Sequence, residues 1–487
     1  MSDSRYWFGL VGVLLLVGCK VGPKYVPPTA PVTPTYKEAP PESYKESDQW
    51  KKAQPMSEAL RGNWWELFGD PQLNVLEEQV ALSNQNIKTA EARFREARAM
   101  VRYNRAAEFP TISVAPSAAS VRLSSNQPFF HLNPNVGSVG EFILPFDLSY
   151  EVDLWGRVRR TVDAAGEEAQ ATAADLATLT LSLQAEVAVD YFELRSADAQ
   201  KRLLNATVEA YTESLNLTTD LFRGGAAPET DVVQAKTQLD TARVQDTDIG
   251  VMRTQYEHAI AILIGKPPAE FSLRFSPLNI GPPVIPVGVP SQLLERRPDI
   301  AANERRVAEA NEQIGIARAA YFPTVTLNAS AGFEGTSAAN WFTWPSRFWA
   351  IGPAVAQTIF DAGRRRATSD AARAGYDAAV ATYRETTLTA FKEVEDNLAA
   401  LRILEQEAQQ QREAVAEARR SVELFTYRYK GGVDPYLDVV TAQTIELANE
   451  RNEVDILRRR MDATVLLIKG LGGGWNALSL PPLRSFR

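Results

Sequence analysis

Residues 141–157 read Glu141-Phe142-Ile143-Leu144-Pro145-Phe146-Asp147-Leu148-Ser149-Tyr150-Glu151-Val152-Asp153-Leu154-Trp155-Gly156-Arg157. Phe142, Leu144, Phe146, Leu148, Tyr150, Val152 and Leu154 recur at every second position, with Glu141, Ile143, Pro145, Asp147, Ser149, Glu151 and Asp153 between them. A period of two sends successive side chains to opposite faces of a strand. One face is apolar and the other mostly polar. A soluble sandwich alternates in this way. So does a transmembrane barrel, whose apolar face meets lipid and whose polar face lines a lumen. The strand alone leaves both open.

The sequence on either side of this strand is written twice. Gly156-Arg157 returns as Gly363-Arg364, Gly224-Gly225 as Gly431-Gly432, Pro228 as Pro435, Asp231 as Asp438 and Gly265 as Gly472. Phe109-Pro110-Thr111 returns as Phe322-Pro323-Thr324. From Gly156 to Gly265 the offset stays at 207 residues, which indicates two copies of one structural unit. Each copy reads helix, strand, loop, strand, long helix, turn, helix. The first copy, 72–265, has expected helices over 72–107, 157–222 and 230–265 and strands near 109–120 and 140–154. The second, 291–472, has expected strands near 322–333 and 348–360 and a long helix over 364–430.

The long helices hold no proline, and Leu176, Leu179, Leu183, Val187, Tyr191 and Leu194 step by three or four along one face. Some 66 residues at 1.5 Å each extend roughly 100 Å. Such rods belong to coiled coils or helical cylinders rather than to compact domains. Four strands per chain are too few to close a barrel, for which about eight is the usual minimum. A barrel would therefore be shared among several chains. Trp341, Phe342, Trp344, Phe348 and Trp349 cluster between the second pair of strands. They read either as a girdle at a lipid–water interface or as the packing of a loop.

Composition narrows the function. Net charge is -8 with no basic stripe, which argues against a nucleic-acid partner. The two histidines, His131 and His258, stand in unrelated contexts, and Cys19 is the single cysteine. No nucleotide-binding glycine loop, metal-ligand cluster or nucleophile–histidine pair is present, so an enzyme is not expected. Residues 1–18 end an apolar run in Leu16-Val17-Gly18-Cys19, which resembles a lipoprotein signal with Cys19 as the lipidated residue. The expected attachment is a covalent diacylglycerol and an N-acyl chain, with no other cofactor. Residues 19–71 begin with a proline-rich tether, 266–290 form a proline-rich linker and 473–487 an irregular tail.

Together these residues resemble the TolC family of outer-membrane efflux channels, in its lipoprotein branch. The resemblance is carried by Cys19-Lys20-Val21-Gly22-Pro23, Trp64-Trp65, Asp153-Leu154-Trp155-Gly156-Arg157, Leu293-Leu294-Glu295-Arg296-Arg297-Pro298-Asp299, Phe360-Asp361-Ala362-Gly363-Arg364 and Leu471-Gly472-Gly473-Gly474-Trp475. It implies a mixed α and β membrane fold, in which a homotrimer shares a twelve-stranded β-barrel continuous with a periplasmic helical barrel. It also implies a passive duct in the Gram-negative outer membrane, served by a periplasmic adaptor and an inner-membrane pump of the resistance-nodulation-division class. A periplasmic lipoprotein adaptor or coiled-coil protein without a barrel is the alternative. The family's closing ring maps onto Tyr429, Gly432 and Asp438, with Asp231 the counterpart in the first copy. Thr441 stands where a second aspartate often lies, and Asp434 where an arginine can lock the closed state. Asp434 and Pro435 are expected to be the cap and first residue of the returning helix. Glu141, Asp147, Glu151 and Asp153 share the polar strand face and would make an acidic lumen.

Overall fold

The computed structural model describes residues 20–41, 63–122, 124, 137–285, 287, 288 and 290–486. Cys19 and the signal segment lie outside these residues.

The helices come in matched pairs. Helix α3 (Arg157–Arg223) and helix α7 (Arg364–Lys430) each have 67 residues. Their returning partners α4 (Glu229–Leu263) and α8 (Tyr436–Gly470) each have 35. At 1.5 Å per residue the long rods extend roughly 100 Å. Helix α3 packs along α4 on one side and against α6 (Pro298–Ala319) and α8 on another, and α7 packs along α6 and α8.

The single helix expected over 72–107 is two helices, α1 (Pro71–Ser83) and α2 (Gln85–Arg105). Asn84 sits between them in extended backbone. Its side chain accepts from the N–H groups of Asn86 (2.8 Å) and Ile87 (3.2 Å) and donates to the Leu263 carbonyl at 2.7 Å. An asparagine that supplies these bonds replaces the helical ladder locally and ends one helix while starting the next. A short helix α5 (Leu293–Arg296) precedes α6.

The strands form one antiparallel sheet. β3 (Val139–Glu151) pairs with β4 (Thr324–Gly335), and β4 with β5 (Arg347–Ala356). On its other edge β3 pairs with β1 (Thr111–Val114) and β2 (Ser117–Val121). β1 and β2 keep one register, Val114 opposite Phe146 and Ser117 opposite Ile143. The ladder breaks at Pro116, which has no N–H to donate. The strand expected to reach 360 stops at Ala356. Among the described residues the sheet therefore has four ribbons and two open edges.

The core lies where the helices meet the linker. Trp64, Leu73, Tyr191, Phe192, Ile260 and Val394 are among the buried side chains that join both repeats in one cluster. Asp198, wholly buried, holds two arginines there. Arg253 donates to Oδ1 at 2.7 Å and Arg195 to Oδ2 at 3.1 Å. The same arginines donate to the carbonyls of Leu273 and Arg274, both at 2.7 Å, and so grip the linker. A buried charge is tolerated only when paired and hydrogen-bonded, as here.

Candidate functional site: the sheet and the helical tip

The sheet register sorts side chains by face. Phe142, Leu144, Phe146 and Leu148 of β3 lie with Leu327 and Phe333 of β4 and with Trp349, Ile351 and Val355 of β5. Asp147 and Ser149 lie with Asn328 and Ser330 on the other face, and Glu151 stands opposite Thr326. In the single chain the apolar face is bare: Trp349 is 78% exposed, and Ile351 and Val355 each 66%. No helix among the described residues is long and apolar enough to cross a membrane. Fully burying a side chain of this size is worth roughly 1.5–3 kcal/mol. A contiguous apolar surface of this kind marks contact with lipid or with protein.

The four acids assigned to one polar face separate. Glu141, Asp147 and Glu151 lie within β3, whereas Asp153 lies beyond its end. Asp153 accepts from the backbone N–H groups of Val158 (3.2 Å) and Arg159 (3.0 Å) and from the Arg159 side chain at 3.0 Å. It therefore caps α3, a place where a carboxylate complements the helix dipole. Glu151 is engaged by Arg157 through Nε at 2.9 Å and Nη2 at 2.5 Å. Glu141 and Asp147 have no ion pair among the described residues. Glu334 of β4, opposite Ile143, belongs to the same face and was missed from sequence. Its strand alternates small polar and apolar residues less sharply than β3 does.

The described chain begins at the junction of sheet and helices. The Val21 N–H donates to the Trp155 carbonyl at 3.0 Å, and Lys20 Nζ lies 2.5 Å from Asp163. Trp155 stacks on Phe322 with centroids 4.6 Å apart and donates to the Pro323 carbonyl at 2.8 Å. The aromatic cluster sits at the far end of the sheet. Trp344, 76% exposed, does not pack a loop core. Trp341 stacks on Phe342 at 4.8 Å and contacts Phe142 at 5.5 Å.

At the opposite extreme lie the two turns that join α3 to α4 and α7 to α8. Gly225 (φ 74°) and Gly432 (φ 69°) take the left-handed conformation that ends each long helix. Pro228 and Pro435 are the caps of the returning helices, which begin at Glu229 and Tyr436. Asp434 is thus not the cap. Its carboxylate is taken by Arg428, which donates from Nε at 2.5 Å and from Nη2 at 2.7 Å, and the guanidinium holds Asp434 below the usual carboxylate range.

Tyr429 and Asp231 are brought together although they are 198 residues apart. The Tyr429 hydroxyl donates to Asp231 Oδ2 at 3.0 Å inside a small core with Tyr436, Val439 and Ala235. Burial, then the hydrogen bond to Asp231, raises the tyrosine pKa well above its ordinary value. Asp438 stands apart from that pair. It lines a surface groove of about 490 Å³ with Glu417, Arg420, Arg428 and Asp434. The turn geometry brings Arg428, and not Lys430, to Asp434.

The described chain thus sets a sheet, bare on one face and unpaired at both edges, at one end of paired rods. A family model described as outer membrane efflux protein matches residues 76–266 and again 289–473, and the chain belongs to that family. It is 33% identical over 483 residues to the toluene efflux pump outer membrane protein TtgF of Pseudomonas putida, covering 99% of both chains. The solved outer-membrane channel OprN superposes with a TM-score of 0.83 at 29% identity, over 94% of this chain and 100% of that one. The CmeC outer membrane channel of Campylobacter jejuni matches in fold, with a TM-score of 0.86 over 96% of this chain and 97% of its own at 24% identity. The protein is the outer-membrane component of an efflux pump, a passive channel and not an enzyme. The adaptor alternative is set aside.

Proposed function

We propose that three copies of this chain join their sheets edge to edge into a twelve-stranded barrel, and their helices into a periplasmic duct built from two tandem repeats. The observation that carries this reading is the sheet, whose apolar face is bare and whose two edges, β1–β2 and β5, are unpaired in one chain. Unpaired edges inside a bilayer leave backbone groups unsatisfied, so the sheet must close. Four ribbons cannot close alone, and three sets of four make a barrel of ordinary size. Val244, Val251 and Ile262 on α4, and Ile403 and Leu424 on α7, are exposed apolar residues on the two helices at the flanks of the chain. Neighbouring copies would cover them.

The duct is passive. An inner-membrane pump of the resistance-nodulation-division class supplies the energy, and a periplasmic adaptor joins it to the tip. Cys19 carries the diacylglycerol and N-acyl anchor; the fixing of Lys20 and Val21 at the sheet–helix junction supports a position beside the bilayer. Asp438 narrows the resting tip, and the Tyr429–Asp231 bond holds the α7–α8 turn against the α3–α4 turn. Glu141, Asp147 and Glu334 make the barrel lumen acidic. The toluene pump to which the relative belongs suggests small apolar molecules as cargo.

Reconstitution of the purified mature protein in a planar bilayer tests this. Trimers that conduct ions are the expected result, and a water-soluble monomer that never conducts would overturn it.

A further inference from the structure

The apolar face of the sheet carries a cation. Arg347 opens β5 opposite Phe333, and alternation places it on the same face as Trp349, Ile351 and Val355. β4 starts beside the helix junction and ends at Gly335, so the start of β5 is the outer end of the sheet, away from the helices. Glu334, the adjacent acid on β4, lies on the opposite face. Among the described residues Arg347 has no carboxylate partner.

The guanidinium is nevertheless held in place. It lies over the Trp344 ring, and its Nε donates to the Trp344 carbonyl at 3.3 Å. The turn beneath is braced by Asn340, whose carbonyl accepts from the hydroxyls of Thr343 (2.8 Å) and Ser346 (2.6 Å). Among the described residues, stacking and the Nε bond leave the two terminal nitrogens without a partner, and these are the half of the fork that grips a phosphate. Phe333 stands opposite Arg347 and packs on Phe342, which stacks on Trp341 beside Phe142, so an aromatic rim begins at this position. An unpaired arginine on an otherwise apolar face costs free energy unless an anion meets it. At this height on a barrel, the anions present are lipid headgroups.

We propose that Arg347, seated on Trp344, binds the phosphate of an anionic glycolipid in the outer leaflet. The aromatic rim packs on the sugars and the upper acyl chains. In a closed barrel the β5 edge meets the β1–β2 edge of the next copy. Arg122, exposed just past the end of β2, would then bring a second guanidinium to each site. The inference rests on the barrel reading above.

The test uses the purified trimer exchanged into nanodiscs of phosphatidylcholine doped with either lipid A or enzymatically dephosphorylated lipid A. Native mass spectrometry after release counts the retained glycolipid, and bilayer conductance is recorded on the same preparation. Wild type should retain lipid A and not the dephosphorylated form, and added inorganic phosphate should not displace it. Arg347→Gln should retain about tenfold less, the loss of a charge-assisted phosphate contact, and Arg347→Lys an intermediate amount. Trp344→Ala should lower retention by freeing the guanidinium. Equal retention by wild type and Arg347→Gln in trimers that still conduct overturns the lipid site alone. Protein that neither inserts nor conducts overturns the barrel reading and the site with it.

Discussion

The Tyr429 hydroxyl donates to Asp231 Oδ2 across 3.0 Å, and this bond ties the last turn of one repeat's long helix to the first turn of the other repeat's returning helix. Buried and shared between two hairpins, it is one of the contacts that separation of those hairpins must break, beside the Gln443–Ser214 and Arg458–Glu193 pairs further along the rods. Tyr429→Phe keeps the ring packing against Tyr436 and deletes the donor. The loss of one hydrogen bond to a charged group is worth about 1.5–3 kcal/mol. Single-channel recordings should show a larger resting conductance, and an unaltered conductance would remove the latch role.

Asp438 is expected to narrow the tip independently of that bond, because it lies in a separate groove with Arg428. Asp438→Ala should raise conductance. Arg428→Gln should also change it, and in a manner that depends on salt, because the Arg428–Asp434 pair is exposed to screening. Indifference of conductance to Asp438→Ala would count against a pore-lining position.

A seam between α3 and α8 should respond to pH. Arg458 joins Asp455 (2.8 Å), Asp462 (2.9 Å) and Glu193 (2.5 Å), with Asp190 and Glu186 on α3 nearby. Burial pushes Asp190 up to about 7, aided by Glu186 and Glu193. Burial also pushes Asp462 up to about 7, with Glu193 adding and Arg458 opposing. An acid raised in the folded state binds more protons there than in the unfolded chain between about pH 4 and 7. Stability therefore falls as pH rises through that window. The melting temperature should decrease from about pH 5 to about pH 8, and Asp190→Asn or Asp462→Asn should flatten the decline. A melting temperature independent of pH in wild type would contradict this.

The Asp198 clamp should be costly to break. Asp198→Ala leaves Arg195 buried without its acid and loosens Arg253 and the linker at Leu273–Ser276. Removal of one partner of a buried pair costs about 3–5 kcal/mol. Thermal unfolding in detergent would register it, and a change below about 1 kcal/mol, as for a surface pair, would refute the clamp.

Cation preference should follow the unpaired acids. Asp147→Asn and Glu334→Gln should lower cation selectivity read from the reversal potential. Glu151→Gln should lower it less, because Arg157 already balances that charge. Anion preference in wild type would sink the acidic-lumen reading.

Local pattern determined a good deal here. The alternation from Phe142 to Tyr150 wrote the two faces of β3, because strand geometry alone assigns successive side chains to opposite sides. The proline-free runs after Gly156 and Gly363 wrote the two long helices, and the glycines at 225 and 432 wrote their ends. Each of these depends only on residues a few positions apart. Tertiary structure decided what depends on distant partners. The helix over 72–107 broke because Asn84 reaches Leu263, 179 residues away. Asp153 left the lumen face because α3 begins where its carboxylate can cap it, and Arg428 rather than Lys430 met Asp434 because the Gly431-Gly432 turn folds it back. Tyr429 and Asp231 are joined only because the two repeats pack side by side, and no spacing along the chain encodes that approach.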